Sequence, residues 1–375
     1  MSLSDRERER YQRHLALAEI GAAGQERLRA ARVLVVGAGG LGSPAAIYLA
    51  AAGCGTLGLV DVDRVELSNL QRQVLFDSSA VGRPKVEAAS EHLAALNPEV
   101  RLVPHALRLQ ADNVRELFSH YDLVIDGTDR LATRYLINDA CVILRKPLVS
   151  AAIHRFEGHL MTYVPDRGPC YRCVFPNSAE GMVANCAEAG VLGVLPGVLG
   201  TLQATEAIKL ITGIGTPLVG RLLAYDALDM RFEEFRVARR RDCAVCGESP
   251  TIREPREAEG RAAPAGDGVR RLSAASLHQM LQQPAGGTPL LVDVREVREF
   301  AAGHLQGSVN IPLGELPQRL GEIPPAARPV FICRSGGRSL AACQIAVRAN
   351  IDSPANLEGG LLGWAAQVDP SLHVL

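Results

Sequence analysis

The chain has 375 residues, 47% hydrophobic and 22% charged, with a formal net charge of −1. That length accommodates two or three separate cores, and the near-neutral charge gives no global reason to expect nucleic acid or an anionic membrane as partner. No apolar run is long enough to span a bilayer, and the charged opening MSLSDRERERYQRH lacks the apolar stretch of a secretory signal.

A reducing cytoplasm is therefore the expected setting, where nine cysteines serve as metal ligands or reactive thiols rather than disulfides. Residues Ser4–Ala31 read as a charged helical lead-in, with sparse apolar positions at Leu15, Ala18 and Leu28. Val33–Gly42, VLVVGAGGLG, follows as a buried parallel strand that stops at Gly37, Gly39, Gly40 and Gly42. Such glycines let the backbone turn sharply, approach a phosphate and start a helix whose free N–H groups face it. A second apolar run, Leu57–Val60, ends at Asp61, placed to accept hydrogen bonds from ribose hydroxyls.

The polar connection VELSNLQRQVLFDSSAVGRPK carries Asn69, Arg72 and Lys85. Lys85–Leu96 then reads as a helix ending at Asn97-Pro98, Val100–Val103 as a strand and Asn113–Ser119 as a helix. Asp122–Asp126 is a buried strand ending in GTDR, followed by a helix over Leu131–Leu144 and a strand over Pro147–Ala151. This alternation predicts an α/β, Rossmann-like doubly wound sheet, with Asp61 and Asp129 at the ligand-binding carboxyl ends of strands.

From Ile153 to Asp229 the pattern changes to short antiparallel strands, a glycine-rich connection and one helix at Gly200–Ile211. The stretch Glu248–Asp267 is rich in Pro, Gly, Arg, Glu and Ala without apolar periodicity, which reads as a flexible linker. The expected layout is a first domain over 1–248, a linker over 249–268 and a small α/β domain over 269–375. The last domain has strands at Leu290–Val292 and Val330–Cys333.

Three groups of residues carry chemistry. The glycine loop with Asp61 is a poor guide to which nucleotide is bound, and alone it favours an NAD-dependent oxidoreductase. Arg72 and Lys85 suit a triphosphate and a departing pyrophosphate, and Asp129 suits Mg²⁺, so together they fit nucleotidyl transfer better than hydride transfer. Solvated surface charge is the plainer reading of each cation alone. Cys170-Tyr-Arg-Cys173 and Cys243-Ala-Val-Cys246 place two thiolate pairs on tight turns, the pattern of a closed, structural Cys₄ zinc site. Cys333 ends a strand before RSGGRS and a helix, where backbone N–H groups, the helix dipole, Arg334 and Arg338 favour a thiolate and a persulfide. Cys186, in NCAEAGVLGVLPG, reads equally as a reactive thiol or a small buried filler, while Cys54, Cys141 and Cys343 read as filler.

Over residues 1–248 the motifs RYQRH, GAGGLG, DVDRVELSNLQRQ, GRPKVE, DGTDR, CYRC and CAVC resemble the adenylylating enzymes of the ubiquitin-activating superfamily. The resemblance is in particular to the molybdopterin synthase and thiamine sulfur-carrier adenylyltransferases. From about 270 onward, LLVDVREVREFAAGHLQGSVNIP and CRSGGRS resemble a rhodanese domain. The resemblance implies a homodimer that uses ATP and Mg²⁺ to adenylylate the Gly-Gly carboxylate of a small ubiquitin-like sulfur carrier. Sulfur would come from a persulfide on Cys333, charged by a donor such as a cysteine desulfurase, and yield a thiocarboxylate. Gly37, Gly39, Gly40 and Gly42 would cradle the phosphates, Asp61 would hold the ribose, and Asn69, Arg72 and Lys85 would orient and neutralise the triphosphate. Arg13 would reach the neighbouring subunit's ATP, and Cys186 matches a position whose role differs among relatives. Two other readings remain open at this stage: an NAD-dependent oxidoreductase fused to a rhodanese domain, and a non-enzymatic zinc adaptor for ubiquitin-like proteins.

Overall fold

Ser4 starts the first helix, α1 (Asp5–Arg10), by a reciprocal capping box with Glu7. The lead-in is broken into three helices, α1, α2 (Gln12–Leu15) and α3 (Gly21–Ala30). Of the three apolar positions expected to anchor it, only Leu28 is fully buried, while Ala18 is exposed; Tyr11 and Ile20 are buried instead. The Tyr11 hydroxyl accepts a hydrogen bond from Asn97, which explains why a polar-looking stretch packs. The computed structural model describes residues 3–176, 190–256, 269–282, 289–324 and 327–374. These fall into two units, one up to Arg256 and one from Val269.

The first unit is built on eight strands. In chain order its elements are β1 (Arg32–Val36), α4 (Gly42–Ala51), β2 (Thr56–Val60), α5 (Lys85–Leu96), β3 (Arg101–His105), α6 (Val114–Ser119), β4 (Leu123–Asp126), α7 (Leu131–Ile143), β5 (Leu148–His154), β6 (Glu157–Tyr163), α8 (Tyr171–Val174), α9 (Leu195–Thr212), β7 (Arg221–Asp226) and β8 (Arg231–Arg236). The sheet order is β3-β2-β1-β4-β5-β6-β7-β8. Strands β3 to β5 are parallel, and β5 to β8 pair antiparallel. Helix α9 begins five residues before the expected Gly200, because Pro196 occupies the first turn, where its missing N–H has no partner to lose.

Strand alternation divides the core. Val33 and Val35 of β1 point into the layer formed with α4, α5 and α9, whereas Leu34 and Val36 point to the layer of α6 and α7. With both faces covered, the central strands are apolar throughout. Among the described residues no helix is long and apolar enough to cross a membrane.

The second unit holds five parallel strands in the order β11-β10-β12-β13-β9. Its elements are β9 (Arg270–Leu272), α10 (Ala274–Gln282), β10 (Leu290–Asp293), α11 (Val297–Ala302), β11 (Val309–Asn310), α12 (Leu316–Arg319), β12 (Pro329–Ile332), α13 (Gly337–Arg348), β13 (Ala355–Leu357) and α14 (Gly360–Gln367). Arg295 is fully buried and pairs with Asp293 at 2.8 Å, with a further hydrogen bond to the Gly303 carbonyl. The expected linker is only partly one. The Thr251 and Ile252 N–H groups both bind the Ala244 carbonyl, and Ile252 is buried beside the cysteine pairs. Residues 257–268 lie outside the described residues.

At the carboxyl ends of β1 and β4 two loops meet backbone to backbone. A Cβ at Gly127 would stand 2.9 Å from both the Gly37 carbonyl oxygen and the Gly42 nitrogen. Gly127→Ala is therefore expected to lower stability by about 1–3 kcal/mol through overpacking. Gly197→Ala, in α9 with open space around it, is expected to raise stability by about 0.5–1 kcal/mol. Thermal unfolding of the two variants beside the wild type checks both signs.

Candidate functional site

The glycine loop runs from Gly37 to Leu41 between β1 and α4. Gly37 has φ +92°, and a Cβ at Gly42 would fall 1.8 Å from the Gly37 oxygen, so only glycine permits this turn. Asp61, just past β2, closes the loop from below: its Oδ2 accepts the Ala38 N–H at 2.9 Å and its Oδ1 the Asp63 N–H at 2.9 Å. Burial pushes the Asp61 carboxyl up, opposed by the charge of Lys85. Lys85 is buried at the start of α5 and pairs with Asp63 at 3.4 Å.

The SNLQRQ turn flanks the same loop. Asn69 is buried, and its Oδ1 accepts the Glu66 N–H at 3.3 Å. Arg72 packs its stem within 3.7 Å of a Cβ position at Gly40 and donates to the Ser68 carbonyl at 3.0 Å. Gln73 was not singled out in the sequence, yet its side-chain nitrogen lies 3.8 Å from a Cβ position at Gly39. Its buried Oε1 has no hydrogen-bond partner. Asp129 is exposed on the loop after β4. Arg13 is exposed on α2, next to His14, which is tied to Gln25 at 3.0 Å. The loop thus brings Gly37, Gly39, Gly40, Gly42, Asp61, Arg72 and Gln73 together at the carboxyl edge of the parallel strands. Cys186 lies outside the described residues.

Two residues that the sequence reading passed over shape this edge. Asp126, fully buried at the end of β4, accepts hydrogen bonds from the Thr128 N–H and hydroxyl and from Ser150. Arg134, on α7, lies 3.0 Å from the same carboxylate. Asp126 was in view within the DLVID run but reads there as the polar end of a strand. Its partner is eight residues on, and no local pattern links them.

The four cysteines of the two C-x-x-C turns converge, with all four sulfurs within 4.8 Å of one another. Cys170 and Cys243 are 3.6 Å apart, and Cys173 and Cys246 3.3 Å. A tetrahedral ion with metal–sulfur bonds of about 2.3 Å needs sulfur–sulfur edges of roughly 3.8 Å, so the set fits one. The Arg240 N–H points at the Cys173 sulfur at 3.4 Å. Hydrogen bonds from Cys170 draw Cys243 and Cys173 towards thiolate, the latter to about 6. Cys54 and Cys141 are buried, with burial pushing the Cys54 thiol up to about 12 and the Cys141 thiol well above its usual range.

In the second unit Cys333 follows β12 and is fully buried. Its sulfur accepts the Gly336 N–H at 3.1 Å and lies 3.3 Å from the Ser339 hydroxyl, which donates to Asn356 Oδ1 at 2.6 Å. The expectation that Arg334 and Arg338 both charge this loop is corrected in part. Arg338 makes a two-pronged pair with Glu299 of α11, 2.8 Å on each arm, which neutralises it. That pair holds the Glu299 carboxyl below its usual range, although burial acts in the opposite direction.

A doubly wound domain whose glycine loop is fastened by Asp61 and flanked by Arg72 has the architecture of nucleotide-using enzymes, and the second unit carries a cysteine between a strand and a helix. Comparison with known proteins gives the family. Residues 11–245 match the ThiF family and residues 273–367 the rhodanese-like domain, and the chain belongs to the ThiF family with a C-terminal rhodanese-like domain. It is 40% identical to an adenylyltransferase and sulfurtransferase (MOCS3) of Aedes aegypti, covering 99% of this chain and 90% of that one. It is 41% identical to a probable adenylyltransferase/sulfurtransferase (MoeZ) of Mycobacterium tuberculosis, covering 99% and 96%. A sulfur carrier protein adenylyltransferase of Thermus thermophilus is 51% identical over 68% of this chain and 96% of its own. Among solved structures, E. coli MccB superposes with a TM-score of 0.56 at 26% identity, over 64% of this chain and 74% of that one. PaaA does so at 0.53 and 27%, over 64% and 76%. The chain is an adenylyltransferase and sulfurtransferase, and neither the oxidoreductase nor the adaptor reading finds support.

Elemental analysis of the purified chain is expected to find one thiolate-bound metal ion. Cys170→Ser is expected to lose it and Cys141→Ala to retain it, since Cys141 is not among the four converging sulfurs.

Proposed function

We propose that this enzyme adenylylates the C-terminal Gly-Gly carboxylate of a small ubiquitin-like sulfur carrier and then converts it to a thiocarboxylate. The observation that carries the reading is the glycine loop held between Asp61 and the Arg72–Gln73 turn, in a chain that also bears the Cys333 loop. Backbone N–H groups at the start of α4 and the Gly39–Gly40 turn receive the ATP phosphates, and Asp61 accepts from the ribose. Arg72 and Lys85 offset the triphosphate charge, and Asn69 and Gln73 orient it. Mg²⁺, held at Asp129, would supply further charge neutralisation. Zn²⁺ fits the closed Cys170, Cys173, Cys243 and Cys246 set, which leaves no open position for catalysis.

The carrier carboxylate oxygen attacks the α-phosphorus, the bond to the β-phosphate oxygen breaks, and pyrophosphate leaves. The outer sulfur of a persulfide on Cys333 then attacks the acyl carbon, and AMP leaves with the bonding pair. A second thiol then attacks the Cys333 sulfur of this acyl disulfide, the S–S bond breaks, the thiocarboxylate leaves with the bonding pair, and the second thiol is left in a disulfide with Cys333. Cys186 and an external dithiol both have the required chemistry. The persulfide is charged by a protein donor such as a cysteine desulfurase. The exposed Arg13 suits a homodimer in which each subunit lends a cation to its neighbour's ATP. A reducing, cytoplasmic setting suits the free cysteines among the described residues.

Mass spectrometry of a Gly-Gly carrier, incubated with enzyme, ATP, Mg²⁺ and a persulfide donor, tests the sequence of steps. Lys85→Ala is expected to abolish the adenylate, by about two orders of magnitude or more. Cys333→Ala is expected to form adenylate without thiocarboxylate. Thiocarboxylate from Cys333→Ala at the wild-type rate overturns the sulfur-transfer half. For the dimer, mixing inactive Arg13→Ala with inactive Lys85→Ala is expected to restore activity, because mixed dimers contain one intact shared site.

A further inference from the structure

Two buried side chains, Asp126 and Arg134, brace the loop that carries Asp129. Asp126 binds the Thr128 N–H at 3.0 Å and the Thr128 hydroxyl at 2.7 Å. Arg134 lies against the same carboxylate at 3.0 Å, and its Nη2 donates to the Thr128 carbonyl at 2.6 Å. That carbonyl belongs to the planar peptide unit that joins Thr128 to Asp129, so Arg134 fixes the plane from which Asp129 projects. Both side chains are buried.

Arg134 is itself set by the first cysteine turn. Its guanidinium carbon lies 5.8 Å from the centre of the Tyr171 ring, and Tyr171 directly follows Cys170. The Tyr171 N–H binds Asn138 Oδ1 at 2.7 Å, and Arg172 pairs with Asp139 at 2.7 and 2.8 Å. Arg172 also lies over the Tyr135 ring at 4.5 Å. One stretch of α7, from Arg134 to Asp139, therefore grips the nucleotide-side loop at one end and the cysteine turn at the other. Residues 134 and 138, four apart, share a face of the helix.

We propose that Arg134 is a positioning residue of the adenylylation site, which transmits the order of the metal-binding cysteine turn, through Tyr171 and α7, to the loop that presents Asp129. The inference rests on the reading of Asp129 as the Mg²⁺ ligand. Mg²⁺ demands near-ideal octahedral geometry, so a carboxylate on a slack loop binds it poorly even when the residue is present. Groups that orient a ligand carry a large share of its affinity for that reason.

The test is the Mg²⁺ dependence of fluorescent ATP-analogue binding to the full-length protein, with thermal unfolding measured in parallel. Arg134→Lys keeps a charge beside Asp126 but not the planar fork that reaches Thr128, and serves if Arg134→Gln does not fold. In Arg134→Lys the Mg²⁺ needed for half-maximal enhancement is expected to rise about tenfold or more, with affinity in the absence of Mg²⁺ unchanged. Tyr171→Leu and Cys170→Ser are expected to shift it in the same direction by smaller factors. Arg72→Ala is expected to weaken nucleotide binding with and without Mg²⁺. A wild-type Mg²⁺ dependence in Arg134→Lys, whatever its melting temperature, overturns the inference. If Asp129→Asn also keeps the wild-type dependence, the cation assignment falls first and takes the inference with it. If Asp129→Asn loses it and Arg134→Lys does not, the inference alone falls.

Discussion

The first unit depends on one contact in which side chains take no part. At the ends of β1 and β4 the Gly37 carbonyl, the Gly42 nitrogen and the Gly127 α-carbon meet with no room for a methyl group among them. This closeness lets α4 begin directly above the strand ends, at Gly42. The same contact sets the loop after β4 against the glycine loop. Asp61 then fastens the opposite side through the Ala38 N–H. The positive φ of Gly37 follows from this arrangement, and alanine there would meet both a steric and a conformational obstacle.

The buried pair of Asp126 and Arg134 is the polar counterpart of that contact. Breaking such a pair by removing one partner costs about 3–5 kcal/mol, because the remaining charge is left without compensation. Here the pair has additional hydrogen bonds from Ser150 and Thr128 to the carboxylate, which satisfy most of its acceptor capacity. It combines a stabilising role with a geometric one, since its arginine also binds the carbonyl that precedes Asp129.

What could be read from the sequence was what is local. The glycine spacing, Asp61 at the end of an apolar run, the paired cysteines and Cys333 between strand and helix each declare themselves within ten residues. The doubly wound class followed from alternating periodicities, whereas the strand order itself is a long-range property seen only in the structure. Whatever depends on partners far apart in the chain was hidden. Glu299 cancels the charge of Arg338 from a helix thirty-nine residues earlier, and nothing near either residue signals it. Ile252 looked like linker because its neighbours are polar; its burial depends on the fold of the second cysteine turn. Tyr11 was overlooked because a single aromatic among arginines carries no periodicity, yet its hydroxyl reaches Asn97 across the chain. The helix expected at Gly200–Ile211 starts earlier, at Leu195, with Pro196 in its first turn, where proline is tolerated.

The eight-stranded sheet has two free margins, and the chain treats them differently. At one, β3 carries Pro104 opposite Leu59, and proline offers no N–H for another strand to pair with. At the other, β8 carries Arg231, Glu233, Glu234 and Arg236, with Arg231 bound to Glu233 and Arg221 of β7 to Glu234. A neighbouring strand laid along either margin would lose ladder bonds at the first or have to desolvate paired charges at the second. Both margins thus carry features that oppose growth by addition of like strands, the route by which open sheets aggregate.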